Sequence, residues 1–198
     1  MLTGGYIGII ALMALGSTPV PIPAEAVVPP AAFLAAQGRL SLTGVILAST
    51  LGAYLGAAVM YWLSLWLGRP LVVKFGRFIL FPPKKLEEAE HWLSRYEAGG
   101  IFLSRLMPGI RHLISIPAGI VRMNFGTFSL TTLLGSAASV GILAYLGVKA
   151  HQVAPNLLND PAGFVLFVRS QSRWLILVVL AFALLYVLSM WLSRRKGE

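Results

Sequence analysis

Apolar residues run along this chain in blocks much longer than the core-facing stripe of a soluble helix, and the blocks are of two kinds. Ser41 to Leu67, Gly126 to Val148 and Trp174 to Leu192 carry no charge. Each is long enough for a helix that crosses a bilayer, which takes about 20 residues. Leu2 to Ser17 is apolar but short. The remaining two stretches are interrupted. Thr18 to Leu40 contains Pro19, Pro21, Pro23, Pro29 and Pro30, and Gly99 to Met123 contains Pro108-Gly109 and Pro117 with Arg105, Arg111 and Arg122 among them. Proline removes a backbone donor and clashes with the preceding turn. Such broken backbone persists at membrane depth only where protein buries it or a wet cavity receives it. Both stretches therefore read as re-entrant helical hairpins.

The expected architecture is an all-α integral membrane fold, with about four transmembrane helices and two opposed re-entrant hairpins in an inverted repeat. One membrane domain over 1–198 divides into an N-terminal helix (1–17), hairpin one (18–40), a transmembrane helix (41–67) and a cytoplasmic segment (69–98). Hairpin two (99–123), a second transmembrane helix (126–148), an external loop (149–173), a third transmembrane helix (174–192) and a cytoplasmic tail (193–198) follow. Orientation comes from Arg194, Arg195 and Lys196, which mark the cytoplasmic end of the last span. In the 69–98 segment, Leu86, Ala89, Leu93 and Tyr96 recur at helical spacing beside six Lys or Arg and four Glu, which predicts a helix lying in the interface. A weak internal repeat aligns Gly38-Arg39-Leu40-Ser41-Leu42 with Gly126-Thr127-Phe128-Ser129-Leu130. Inverted repeats with broken helices meeting near the midplane are a transporter pattern.

Composition agrees with a membrane solvent: 57% of residues are hydrophobic and 12% charged, against about 25% charged in soluble domains. The net charge of +9 sits at the ends of apolar blocks, which fits cytoplasmic anchoring and excludes nucleic acid as a partner. The N-terminus has no basic n-region and reads as a retained segment. With no cysteine and no His/Asp/Glu set at ligand spacing inside the membrane, neither a metal nor a cofactor is expected.

Of seven acidic residues, only Glu25 falls in a membrane segment. A carboxylate there is costly and is expected to face a cavity and a partner, as a proton carrier or as a counter-ion. Arg105 and Arg111 are six positions apart and would diverge on an unbroken helix. The Pro108-Gly109 break lets both guanidiniums converge, an arrangement suited to a phosphate group. Pairing of one arginine with Glu25 is the alternative. His112 is a second candidate for proton coupling, or a hydrogen-bonded packing residue. His91 and His151 are expected in loops, and Arg122 as an anchor.

Several motifs resemble the DedA family of membrane proteins, over roughly residues 10 to 150. They are Pro21-Ile22-Pro23-Ala24-Glu25, Gly52-Ala53-Tyr54-Leu55-Gly56 with Tyr61, Phe102-Leu103-Ser104-Arg105-Leu106-Met107-Pro108-Gly109-Ile110-Arg111, and Ile116-Pro117-Ala118-Gly119 with Met123 and Phe128. The resemblance implies opposed hairpins in a bacterial inner membrane and movement of lipids between leaflets, including the return of undecaprenyl phosphate to the inner leaflet. It further implies that Glu25, Arg105 and Arg111 bind substrate, with Pro21, Pro23, Pro108, Gly109, Pro117 and Gly119 supporting the hairpins. Partners would be membrane lipids, polyprenyl phosphate or a phospholipid such as phosphatidylethanolamine, with homo-oligomers left open. Many members carry a further acidic residue before the Pro-x-Pro segment, where this chain has Met13 to Ser17, and another after the glycine matched by Gly56, where it has Ala57. No enzyme is expected. A membrane lipid phosphatase built on Ser104-Arg105 and His112 lacks an orienting aspartate and a second histidine, and a purely membrane-organising protein is the third class.

Overall fold

The computed structural model describes residues 2–18, 22–76, 91, 93, 99–107, 111 and 114–153, with backbone alone at 2–3 and 69–76. All regular structure among them is helical. Helix α1 spans Leu2–Gly16, a 3-10 turn spans Ala24–Ala26, α2 spans Val28–Ala36 and α3 spans Leu42–Gly76. Helix α4 covers 99–106, α5 Ser115–Ile120 and α6 Phe125–Val153. Their order explains the prolines. Pro29 and Pro30 occupy the first turn of α2, and Pro117 the first turn of α5, where a missing N–H costs no intrahelical bond. Pro23 caps the 3-10 turn in extended conformation.

Two helices are long and apolar enough to cross a membrane: Leu42–Gly68, the part of α3 before a break at Gly68 (φ 66°, ψ 174°), and α6. At about 1.5 Å per residue they are about 40 Å long, more than the roughly 30 Å hydrocarbon core. Helix α1 has 15 residues, too few to cross upright. The expected span 174–192, the loop and tail around it, and most of the 69–98 segment lie outside the described residues. Helix α6 runs five residues past the expected end at Val148, so Lys149 and His151 are helical, and His151 packs edge-on against Phe33 at 4.9 Å. His91 likewise has helical backbone. Leu93, expected in a lipid-facing stripe, is instead buried against Tyr61, Ile101 and Phe128.

The outer face of α3 exposes Leu47, Leu51, Leu55, Val59, Trp62, Leu63 and Trp66, and α6 exposes Leu130, Leu134 and Tyr145. Water would penalise such a stripe, whereas lipid does not. The opposite face is rich in small residues, with Val45, Ser49, Ala53, Ala57 and Ser64 on α3 and Thr132, Ser136, Val140 and Ala144 on α6 all buried, beside the larger Tyr61 and Phe128. Small residues let helix backbones approach closely, the main source of packing energy where hydrophobic burial supplies none.

The described chain is built twice from the same local devices. Helix α2 ends in a Schellman motif: Gly38 N–H donates to Ala35 O, Arg39 N–H to Leu34 O, and Gly38 has φ 75°. Helix α5 ends the same way, with Arg122 N–H to Gly119 O, Met123 N–H to Ala118 O, and Arg122 itself at φ 52°. Each motif leads to a capped long helix. Ser41 Oγ accepts from Gly44 N–H at 3.4 Å, and Asn124 Oδ1 accepts from Thr127 N–H at 3.1 Å. Helix α1 then lies on α3 at Gly52, where a Cβ would come within 2.5 Å of Ile10 O and 2.9 Å of Met13 Cβ. Helix α4 lies on α6 at Gly135, where it would come within 3.1 Å of Phe102 O and 2.7 Å of Arg105 Cβ. The caps and glycines together align Ser49-Thr50-Leu51-Gly52-Ala53 with Thr132-Leu133-Leu134-Gly135-Ser136. This register differs from the one expected from Gly38 and Gly126, because the second connection is a residue shorter and Arg122, not a glycine, holds the left-handed position. The short helices are exchanged: α2 packs on α6 and α5 on α3.

Candidate functional site

Between the two halves lies a partly open cleft lined by Met13, Gly16, Ser17, Ile22, Ala24, Ala53, Arg105, Arg111, Ser136, Ser139 and Val140. Ala53 stands near the middle of the α3 span, and Ser136, Ser139 and Val140 near the middle of α6, so the cleft is central along both.

Glu25 sits in the 3-10 turn Ala24–Ala26, in the segment that α1 cannot continue past Gly16. Arg105 lies in the last turn of α4 and Arg111 just beyond it. The structure brings these three together across the two halves. Arg111 Nη2 donates to Glu25 Oε2 at 3.3 Å, with the arginine side chain 12% exposed and the carboxylate 31%. Arg105 is more deeply buried, at 3%. Its Nη2 donates to Ser115 Oγ at 2.8 Å, while Nε has no hydrogen-bond partner among the described residues. A buried guanidinium with an unused donor is costly unless a ligand satisfies it.

The cleft is chemically lopsided. Repeat-equivalent positions are Met13 and Arg105, Ala53 and Ser136, Gly56 and Ser139. The first half therefore contributes Met13, Ile22, Ala24 and Ala53, an apolar wall broken by Ser17, and the second contributes Arg105, Arg111, Ser136 and Ser139 beside Val140. Among the described residues, two guanidiniums are opposed by one carboxylate, an excess of positive charge facing apolar surface. That arrangement suits an anionic group attached to an apolar body.

Of the other expected site residues, Pro23 caps the Glu25 turn, while Pro117 and Gly119 lie in α5, with Gly119 flat against the Tyr61 backbone of α3. Pro21, Pro108, Gly109 and His112 lie outside the described residues. Tyr61, Met123 and Phe128 form a brace beside α5: Tyr61 O–H donates to Met123 O, and the Tyr61 and Phe128 rings stack at 4.7 Å. Arg122, expected as an anchor, is the left-handed residue of the α5 cap. Ser115, Ser136, Ser139 and Met13 escape a charge-based reading. The Gly52/Gly135 register would find Ser136 and Ser139, since it sets hydroxyls on one long helix against Ala and Gly on the other, but it carries no signal for Ser115 on α5.

The VTT domain profile matches residues 22–149. The uncharacterized membrane protein YkoX of Bacillus subtilis is 38% identical over 128 residues, 65% of this chain and 58% of YkoX. Undecaprenyl phosphate transporter A of Bacillus subtilis is 34% identical over 145 residues, covering 73% of this chain and 71% of the transporter. An alkaline phosphatase-like protein of Lactococcus lactis is 31% identical over 148 residues, 72% of this chain and 69% of that one. No solved structure matches the chain. The described residues have helical architecture throughout, with two apolar helices of spanning length, and the domain match covers the cleft except Met13, Gly16 and Ser17, so this chain belongs to the VTT-domain, or DedA, family of membrane proteins.

Proposed function

We propose that the chain is a bacterial plasma-membrane lipid transporter that flips a phosphate-bearing lipid, above all undecaprenyl phosphate returned from the outer to the inner leaflet. The observation that carries this reading is the convergence of Arg105 and Arg111 on one central cleft, with Glu25 paired to Arg111 beside it and a largely apolar wall opposite. The phosphate takes the arginine wall, and the prenyl chain leaves along the Met13, Ile22 and Ala53 wall toward lipid. Glu25 competes with the phosphate for Arg111: lipid entry displaces the carboxylate, and re-pairing releases the lipid. A proton on Glu25 weakens that competition, so a proton gradient biases the cycle. The repeated devices and exchanged short helices support two opposed re-entrant hairpins in an inverted repeat, within about four spanning helices and with a cytoplasmic C-terminus. The name of the Bacillus subtilis relative supports the substrate.

A phospholipid such as phosphatidylethanolamine is the alternative cargo. Its ammonium group would have to share the cleft with an excess of positive charge, which favours the monoester. A leaflet-resolved assay in proteoliposomes, with undecaprenyl phosphate against phosphatidylethanolamine and with or without a pH gradient, tests the reading. Faster flipping of undecaprenyl phosphate, lost in Arg105→Ala and Arg111→Ala, is expected. Equal rates for wild type and both variants overturn it, and release of inorganic phosphate would favour a membrane lipid phosphatase, the Lactococcus relative being named alkaline phosphatase-like.

A further inference from the structure

Ser115 is fully buried and is not part of the cleft wall, yet its hydroxyl takes the tip of the most buried arginine in the site. Arginine carries five N–H donors in a rigid fork on a flexible stem, and the stem's freedom is what a binding site must remove before ligand arrives. In this chain Arg105 is held at both ends. At the base, Gly135 of α6 leaves room for its Cβ and Cγ, where a Cβ on Gly135 would lie 2.7 and 3.2 Å away. At the tip, Nη2 is fixed on Ser115 Oγ at 2.8 Å. Ser115 sits on α5, which packs against α3, so the tip of Arg105 is referred to a different helix from the base. Nε is left without a partner while the side chain lines the cleft.

We infer that Ser115 is a positioning residue for the anion site: its hydroxyl locks the Arg105 guanidinium in the orientation that keeps the remaining donors for a phosphate monoester. This rests on the proposed phosphate-binding role of the cleft. Ser115 touches no ligand itself and acts only through Arg105. The hydroxyl is therefore worth something only while Arg105 is present, which separates it from a packing residue.

The test is equilibrium binding of hexyl phosphate, a soluble alkyl phosphate monoester, to the purified full chain, with unliganded thermal midpoints measured alongside. Wild type, Ser115→Ala, Ser115→Thr, Arg105→Ala and the Ser115→Ala/Arg105→Ala pair are compared. Ser115→Ala is expected to weaken binding about 10-fold, the size of one lost hydrogen bond to a charged group. Ser115→Thr, which keeps the hydroxyl, stays closer to wild type than Ser115→Ala. In the Arg105→Ala background, where Arg111 sustains weak binding, Ser115→Ala changes affinity less than about 2-fold. The inference is overturned if Ser115→Ala weakens binding equally in both backgrounds, if it lowers the thermal midpoint with affinity unchanged, or if threonine and alanine behave alike. Should Arg105→Ala abolish binding, the threonine and alanine variants alone decide. If Arg105→Ala binds as wild type does, the phosphate reading of the cleft falls and this inference with it. If Arg105→Ala loses binding and Ser115→Ala does not, only the inference falls.

Discussion

The halves α1–α3 and α4–α6 share their caps, their glycine crossings and their exchanged short helices, but differ in what they present to the cleft between them. At the positions where the second half has Arg105, Ser136 and Ser139, the first has Met13, Ala53 and Gly56. A repeated scaffold therefore does not mean a repeated site. The duplicated backbone breaks a helix in each half, and the side chains differ: one wall of the cleft presents charge and the other mostly apolar surface, with Glu25 the one acidic residue among the described residues of the first half. This is economical, because each charge at membrane depth costs free energy unless something pairs with it.

The largest expected effect removes charge from the polar wall. Arg111→Ala strips Glu25 of its partner and the cleft of a donor. Undecaprenyl phosphate flipping in proteoliposomes should fall by about 100-fold, the scale of a lost charge-assisted contact of ~3 kcal/mol. Next come the two crossings. Gly52→Ala presses a Cβ to 2.5 Å from a backbone oxygen and should destabilise the protein by about 1–3 kcal/mol. Gly135→Ala meets Arg105 Cβ at 2.7 Å, an atom fixed to the α4 backbone, so it should cost stability on the same scale but also lower hexyl phosphate affinity. Paired thermal unfolding and binding measurements check the contrast. If both glycines lower stability alone, the crossing at Gly135 has no part in seating Arg105.

Tyr61→Phe tests the brace beside α5. It deletes the hydrogen bond to Met123 O and keeps the ring stack on Phe128, so a loss of about 1 kcal/mol is expected in thermal or denaturant unfolding. The smallest effect concerns the matched caps. Gly38→Ala puts a Cβ in the left-handed region and should destabilise by about 1 kcal/mol. Arg122→Gly relieves the same conformation in the other half and should stabilise by somewhat less, since glycine gains freedom in the unfolded chain. Two changes of the same sign would mean that the caps are not equivalent.

The sites of helix breakage were legible because proline and glycine act on their own backbone. Pro29-Pro30 and Pro117 mark first turns, and Gly68 ends the span that begins at Ser41. Glu25, Arg105 and Arg111 were legible because charge inside apolar sequence is conspicuous. The true repeat register was harder to read: the aligned segments share one glycine, a hydroxyl three residues before it and a small residue after it. Apolar segments resemble one another by chance, and only caps and crossings distinguish the registers.

The amino-acid order alone was enough to establish a membrane chain with uncharged spans, two broken segments and a short inventory of ionisable groups within them, since these follow from local backbone chemistry and from the cost of charge in lipid. It left open which arginine meets Glu25. Packing resolved that: Arg111 reaches the carboxylate, while Arg105 is held back by Gly135 and Ser115. Ser115, Ser136 and Ser139 acquire meaning in the same way, because a serine's role depends on what faces it. Those partners lie on helices far apart in the chain, and no local pattern records which will meet.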